Sequence, residues 1–302
     1  MAKIKHIDLE KTGSINELIK AYSGSAFNAR KLAEATDIVE KMIKDKQCRV
    51  FLGVAGALVP AGMRKILVDM IRKGYVDVVV TTGANITHDL VEAIGECHEI
   101  GSEKADDRKL HKSRINRIYD VYMPNKVYEC LEKEIKKTLG TMPKEKYSIK
   151  RFLYEFGKRV DDKDSLMRAC ADMNVPLFCP GLSDSGFGIQ TMFHRNGIVI
   201  DALDDINEMI SLTWGAKKSG AIILGGGVPK NFIFQALQFS KDAEYAVQIT
   251  MDRPEHGGLS GATLEEAVSW GKIGEKAKHA EVICDVTIAL PLMMAAVKER
   301  LG

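Results

Sequence analysis

Apolar runs rich in β-branched residues alternate along this chain with stretches of helical period. Cys48–Leu52, Val76–Val80, Val175–Phe178, Ile198–Ile200, Ala221–Leu224, Tyr245–Thr250 and Glu281–Ile283 are apolar at nearly every position, and Gly, Pro, Ser or Asp close them. A run without polar alternation marks a strand buried on both faces, as in a parallel sheet. Between the runs, Leu32, Ala35, Val39 and Met42 recur at steps of three and four, as do Val127, Cys130, Leu131 and Ile135. Each set forms one face of an amphipathic helix. Strands alternating with helices predict a doubly wound α/β sheet. No repeat, low-complexity tract or long linker breaks the pattern, so residues 1–302 read as one domain. Gly101–Arg114 and Met142–Tyr147 read as surface excursions.

Composition narrows the function classes. The chain is 45% hydrophobic and 28% charged with a formal net charge of +2, which gives no electrostatic case for nucleic acid or an anionic membrane. Its six cysteines form no CxxC pair, so a reducing cytoplasm fits better than a disulfide framework. Cys97 and His98 are adjacent, but no second ligand pair stands at metal spacing, and no metal is expected. The N-terminus lacks the apolar core of a signal peptide. The most apolar run, Val286 to Val297, is twelve residues long and contains Pro291, too short to cross a bilayer. A soluble protein is expected.

In doubly wound sheets ligands gather at the carboxyl ends of the strands. Here those ends read Gly53-Val-Ala-Gly-Ala57, Thr81-Thr-Gly-Ala-Asn85, Cys179-Pro-Gly-Leu-Ser-Asp184, Gly225-Gly-Gly-Val-Pro229 and Cys284-Asp285. Small residues and bare backbone allow close approach by a dinucleotide. Any one of these glycines reads most simply as a tight turn; five such ends in one chain weaken that reading. There is no GxGxxG fingerprint and no Walker loop, so motifs alone point no further than a nucleotide.

The segment Glu265-Glu-Ala-Val-Ser-Trp-Gly-Lys-Ile273 resembles the lysine-bearing motif of deoxyhypusine synthases. Leu224–Lys230 (LGGGVPK), Val76–Ala84 (VDVVVTTGA) and Asn116–Asn125 (NRIYDVYMPN) are similar to the same family in the same order. The likeness runs over nearly the whole chain and needs no gap from Gly225 to Asp285. It implies a Rossmann-like, mostly parallel sheet with helices on both faces, assembled as a homotetramer with NAD near subunit interfaces. The family reaction begins when NAD takes hydride from spermidine. A lysine captures the resulting imine, holds the butylamine fragment, and yields it to an acceptor amine, after which the stored hydride returns.

The resemblance assigns Lys272 as the nucleophile. Such a lysine must lose its proton, and free lysine has a pKa of about 10.4, so burial or a neighbouring cation is required. Trp270 then supplies an aromatic wall for a substrate cation, the alternative being a core tryptophan. Glu266, four residues earlier and on the same face of a helix, anchors an ammonium or guanidinium group, or else is simply an exposed helix glutamate. Gly257, Ser260 and Gln248 complete the expected amine site. The expected NAD site comprises Gly56, Ala57, Thr82, Gly83, Ala84, Asp184, Gly226, Asp252, Asp285 and Val286. Asp184 and Asp285 could accept from ribose hydroxyls, which favours NAD over NADP.

Departures concern the amine. A family histidine after the glycine run is Asn231 here, two carboxylates correspond to Ile189 and Leu259, and a glutamate pair after the Thr-Thr strand is Thr87-His88. A buried polyammonium without counter-charges loses several kcal/mol, which disfavours spermidine held in the usual way. Asn231 cannot shuttle a proton near neutral pH, leaving His88 or His256 as proton carriers. Asp252–Thr263 and Ala55–Gly62 resemble a divergent archaeal and cyanobacterial branch associated with small-amine products, of homospermidine type or built from two agmatines. Agmatine's planar guanidinium suits a carboxylate and a stacking face. The expectation is therefore a transferase moving a 4-aminobutyl or 4-guanidinobutyl group to a small amine. The alternatives are a deoxyhypusine synthase acting on a lysine of a translation-factor precursor, and a non-catalytic NAD-binding sensor.

Overall fold

The computed structural model describes residues 3–302. Among them the strands are, in chain order, β1 (Cys48–Val54), β2 (Val78–Thr81), β3 (Glu99–Ile100), β4 (Ile115–Ile118), β5 (Val121–Pro124), β6 (Lys146–Ser148), β7 (Leu177–Phe178), β8 (Val199–Asp201), β9 (Lys218–Leu224), β10 (Ala243–Thr250) and β11 (Ile273–Ile283). The chain divides into two compact units, each discontinuous in sequence. The first is Met1–Ala55, Gly74–Val80 and Ile206–Gly302; the second is Gly56–Lys73 and Thr81–Asp205.

The first unit holds most of the central sheet, with neighbours in the order β11-β10-β9-β1-β2. The pairs β1 with β9, β9 with β10 and β10 with β11 are all parallel, as the apolar runs predict. Helices cover both sheet faces. Leu32, Ala35, Val39 and Met42 all face inward from the helix Phe27–Lys44, which packs on β10 and β11. Leu32, Val39 and Met42 each contribute about 1.5–3 kcal/mol by leaving water. The apolar run around Pro291 is the core helix Val286–Leu301. Among the described residues no helix is long and apolar enough to cross a membrane.

Register sets the site. Val54 pairs with Leu224, Leu224 with Ile249, and Thr250 with Ile283. Four strands therefore finish at one level. The ladder continues one residue beyond, with Ala55, Gly225 and Cys284 donating to Leu224, Ile249 and Thr250 over 2.9, 2.8 and 3.1 Å. The sequence segments after Val54, Leu224, Thr250 and Ile283 thus emerge along a single sheet edge.

The second unit carries an antiparallel sheet, β3-β5-β4, and a parallel pair, β6-β8. Gly101–Arg114 is the largely exposed β3–β4 connection and carries its own helix, Asp107–Lys112, capped by Asp106. Strand β6 begins inside the other expected excursion, at Lys146. Tyr147, Phe152, Phe156 and Phe187 form an aromatic core with ring centroids 5.0 to 6.3 Å apart. Beside it Asp89, 0% exposed, accepts from Arg64 Nε at 2.7 Å, Ser165 Oγ at 2.7 Å and the amides of Leu166 and Met167 at 2.8 and 3.1 Å.

Candidate active site

The helix Leu264–Ser269 begins at Thr263, whose hydroxyl accepts from the Glu266 amide at 3.0 Å, and Glu281 of β11 accepts from the Leu264 amide. The helix ends at Trp270 because Gly271 adopts φ +65°, the left-handed cap that glycine supplies without a Cβ penalty. Gly271 donates to Val268 at 2.9 Å and Lys272 to Ala267 at 3.1 Å, satisfying the last carbonyls. That reversal folds Lys272 back over Trp270, two residues earlier, with Nζ 5.2 Å from its ring centroid. Trp270 is 58% exposed and hence a wall, not a core residue. Lys272 is half-buried.

Both line a cleft of about 300 Å³, together with Glu266, Asn231, Lys230 and Gly257. Lys230, 3% exposed, is tethered by carbonyls. Its Nζ donates to Leu259 O at 3.3 Å and also to Ala262 O. Burial lowers its ammonium to about 8, with Lys272 pushing the same way and Glu281 and Glu266 opposing. Burial likewise raises the Glu281 carboxyl. Asn231, half-buried, donates to Gln235 Oε1 at 3.1 Å. His256 stands apart, exposed and paired with Asp252 Oδ1 at 3.0 Å.

Gln248 and Ser260 hold the loop that forms the cleft's rim. Gln248 is 1% exposed, and its Nε2 donates to Gly225 O at 2.9 Å and Ser260 O at 2.8 Å. Ser260 Oγ accepts from the Gly227 amide at 2.9 Å. A Cβ on Gly226 would stand 2.5 Å from Ser260 Cα, so only glycine lets the loop close there. Neither Gln248 nor Ser260 lines the cleft. The amine-site residues the sequence brings together are Lys272, Trp270, Glu266, Gly257 and Asn231. Lys230 and Glu281 went unassigned, although Lys230 lies inside the quoted glycine motif.

The expected cofactor residues fall into two groups. Gly226, Asp252, Asp285 and Val286 lie along the sheet edge of the first unit. Asp285 caps the helix Val286–Leu301, its Oδ1 accepting from the Thr287 amide and hydroxyl at 2.7 and 2.8 Å. Gly56, Ala57, Thr82, Gly83, Ala84 and Asp184 belong to the second unit. There Thr82 caps the helix Gly83–Ala93. A Cβ on Gly83 would lie 2.5 Å from Ser185 Cβ, which brings this helix start against the Asp184–Ser185 turn. Gly56 has φ +79° and open space where a Cβ would be, so its backbone can meet a flat ligand. These features fit a dinucleotide. His88, on the same helix, is 8% exposed and bonded through Nδ1 to His98 Nε2 at 2.8 Å. Among the described residues no cluster of His, Cys, Asp and Glu could hold a metal ion.

The family model described as "Deoxyhypusine synthase" matches residues 17–297. The chain belongs to the deoxyhypusine synthase family. "Probable deoxyhypusine synthase 1" of Methanosarcina acetivorans is 48% identical over 96% of this chain and 92% of the relative. Its namesake from Archaeoglobus fulgidus is 44% identical over 98% of this chain and 97% of the relative. A crystal structure described as a "putative deoxyhypusine synthase from Entamoeba histolytica" superposes with a TM-score of 0.66 at 18% identity, covering 97% of this chain and 96% of that one. That likeness shows the fold. Membership makes the chain an enzyme of a transferase family.

Proposed function

We propose that this deoxyhypusine synthase family member carries a four-carbon aminobutyl fragment on Lys272, depends on NAD, acts as a homotetramer, and delivers the fragment to a protein lysine. The observation that carries the reading is the placement of Lys272 Nζ over Trp270 in a cleft that also holds Glu266. Glu266 orients the cationic end of the donor, and Trp270 gives it a face worth about 0.5–2 kcal/mol when desolvated. As the fragment's carbon bonds to Lys272 Nζ, its bond to the leaving amine breaks; the acceptor amine later repeats that exchange in reverse. When bound, NAD would supply the hydride acceptor and donor for the fragment's carbon, and in the first unit Gly226 and Asp285 would hold it. The names of relatives at 44–48% identity support a protein lysine as acceptor.

One observation favours a second reading, with a small amine as acceptor and a donor of one charge fewer than spermidine, such as agmatine. The cleft offers the one carboxylate of Glu266, and the buried ammonium of Lys230 already stands beside it, too few counter-charges for a triamine. Borohydride trapping with NAD and either spermidine or agmatine, read by mass spectrometry, tests both. A fragment-sized mass gain at Lys272 that disappears in K272A supports the reading, and its absence with every amine refutes it. Release of the fragment to a translation-factor precursor or to a second small amine then decides the acceptor.

A further inference from the structure

A hydrogen-bonded series of three titratable side chains lies in the second unit. Glu92 Oε1 is 2.5 Å from His98 Nδ1, and His98 Nε2 is 2.8 Å from His88 Nδ1. The rings meet edge to face, with centroids 4.9 Å apart and planes at 61°. The Glu92 carboxylate also accepts from the His98 amide at 3.3 Å, which fixes the ring's approach. His98 has a side chain only 4% exposed. The helix Gly83–Ala93 carries both ends, Glu92 following His88 by four residues and so sharing its face.

A carboxylate only accepts, so His98 Nδ1 carries a proton. The shared proton between the rings then has two positions. In one, His88 Nδ1 donates to a neutral His98, which leaves His88 Nε2 as a bare lone pair. In the other, His98 is an imidazolium beside the Glu92 carboxylate and donates to His88 Nδ1, leaving Nε2 protonated. His88 is neutral in both, and the two states differ by one proton.

We propose that Glu92, His98 and His88 form a proton relay in which a proton enters or leaves at His88 Nε2 while the charge rests on His98. As Nε2 gains its proton, the N–H bond at His88 Nδ1 breaks and that proton bonds to His98 Nε2, so nothing else is consumed. The arrangement removes a difficulty. Burial brings the His88 imidazolium down to about 4, with His98 adding to the effect and Glu92 opposing it, so His88 alone is a poor base near neutral pH. Passing the charge to His98 places it against a carboxylate at 2.5 Å. The neighbouring carboxylate, Asp89, is occupied by Arg64 and Ser165. His88 Nε2 makes no hydrogen bond among the described residues. His88 also follows Ala84 by one helical turn on the same face, at the helix start expected to meet the cofactor. Resting on the proposed amine transfer, the relay would exchange a proton during turnover. His88 Nε2 is the outer end of the relay; His98 and Glu92 are positioning residues.

Two measurements test it. Histidine 15N NMR during acidification reads the relay without any turnover. The first proton taken up should make His98 doubly protonated, while the His88 proton moves from Nδ1 to Nε2. A first proton that stays on His88 overturns the proposal, whatever the enzyme's substrate. In the turnover assay, H98Q keeps an oxygen to accept from His88 Nδ1 and an amide to reach Glu92, yet it cannot take a proton. E92Q keeps the acceptor and removes the charge. Both should lower kcat at least tenfold, leave KM within about threefold, and still form the borohydride-trapped Lys272 adduct. Wild-type kcat in H98Q overturns the relay while leaving Lys272 chemistry standing.

Discussion

Replacing Lys230 by Met should change the pH dependence of stability more clearly than stability itself. Lys230 is 3% exposed and its ammonium is lowered from 10.5 to about 8, chiefly by burial. Below about pH 8 both folded and unfolded chains hold the proton, and the fold bears the full cost of the buried charge. Between about pH 8 and 10.5 the unfolded chain keeps a proton that the folded chain has shed, so stability rises with pH. The slope approaches about 1.4 kcal/mol per pH unit, and the whole rise is roughly 3 kcal/mol. K230M removes that rise. It also leaves the carbonyls of Leu259 and Ala262 without their donor, costing about 1–3 kcal/mol each at every pH. These two effects oppose one another at pH 7, which makes a single measurement there uninformative. Urea unfolding of both proteins from pH 7 to 10 isolates the ionisation, because cysteines, tyrosines and other lysines titrate alike in the two. The wild-type minus K230M difference should climb across that range. Parallel curves would refute the assignment of a buried, destabilised ammonium.

Two further outcomes follow from other parts of the structure. D89N turns an amide toward donors that now meet a fully buried carboxylate, Arg64 and Ser165 among them; it should cost on the order of 3–5 kcal/mol, seen as a lower Tm by calorimetry. W270A removes the face beneath Lys272 Nζ and should raise donor KM roughly two- to thirty-fold, with W270F falling between it and wild type in steady-state assays.

The sequence was most legible where burial is symmetric. Strands β1, β9 and β10 are apolar on both faces, so continuous runs revealed them. Strand β11 was found only at its end, because as the edge of the sheet it alternates Glu275, Lys276 and Lys278 with inward residues. The small antiparallel sheet was missed for a related reason. Its strands are two to four residues long and half-exposed, giving no period to read. At the candidate site, Trp270, Gly271 and Lys272 were singled out by the family motif, and all three sit at one local device, a left-handed helix cap. Lys230, Glu281 and the partners of His88 were not, since their roles arise from distant residues: Lys230 meets carbonyls 29 and 32 positions away, and His88 meets His98 ten positions on. No spacing rule links such groups before the fold does.

Donor and acceptor are decided by different parts of this molecule. The cleft bears on the donor. With Lys230 protonated, its charge offsets that of Glu266, and each further ammonium near 4 Å from Lys230 meets about 4 kcal/mol of repulsion at an effective dielectric of 20. A planar guanidinium stacked on Trp270 spreads its charge and lets the single carboxylate bind it in two-point fashion. The acceptor leaves no such trace, because it need only bring one neutral amine to a carbon already fixed on Lys272. A protein lysine and a small diamine satisfy that need equally, and the names of relatives favour the first without bearing on the donor. A chain whose donor departs from spermidine while its acceptor stays a protein lysine would satisfy both lines of reasoning, so neither assay can stand in for the other.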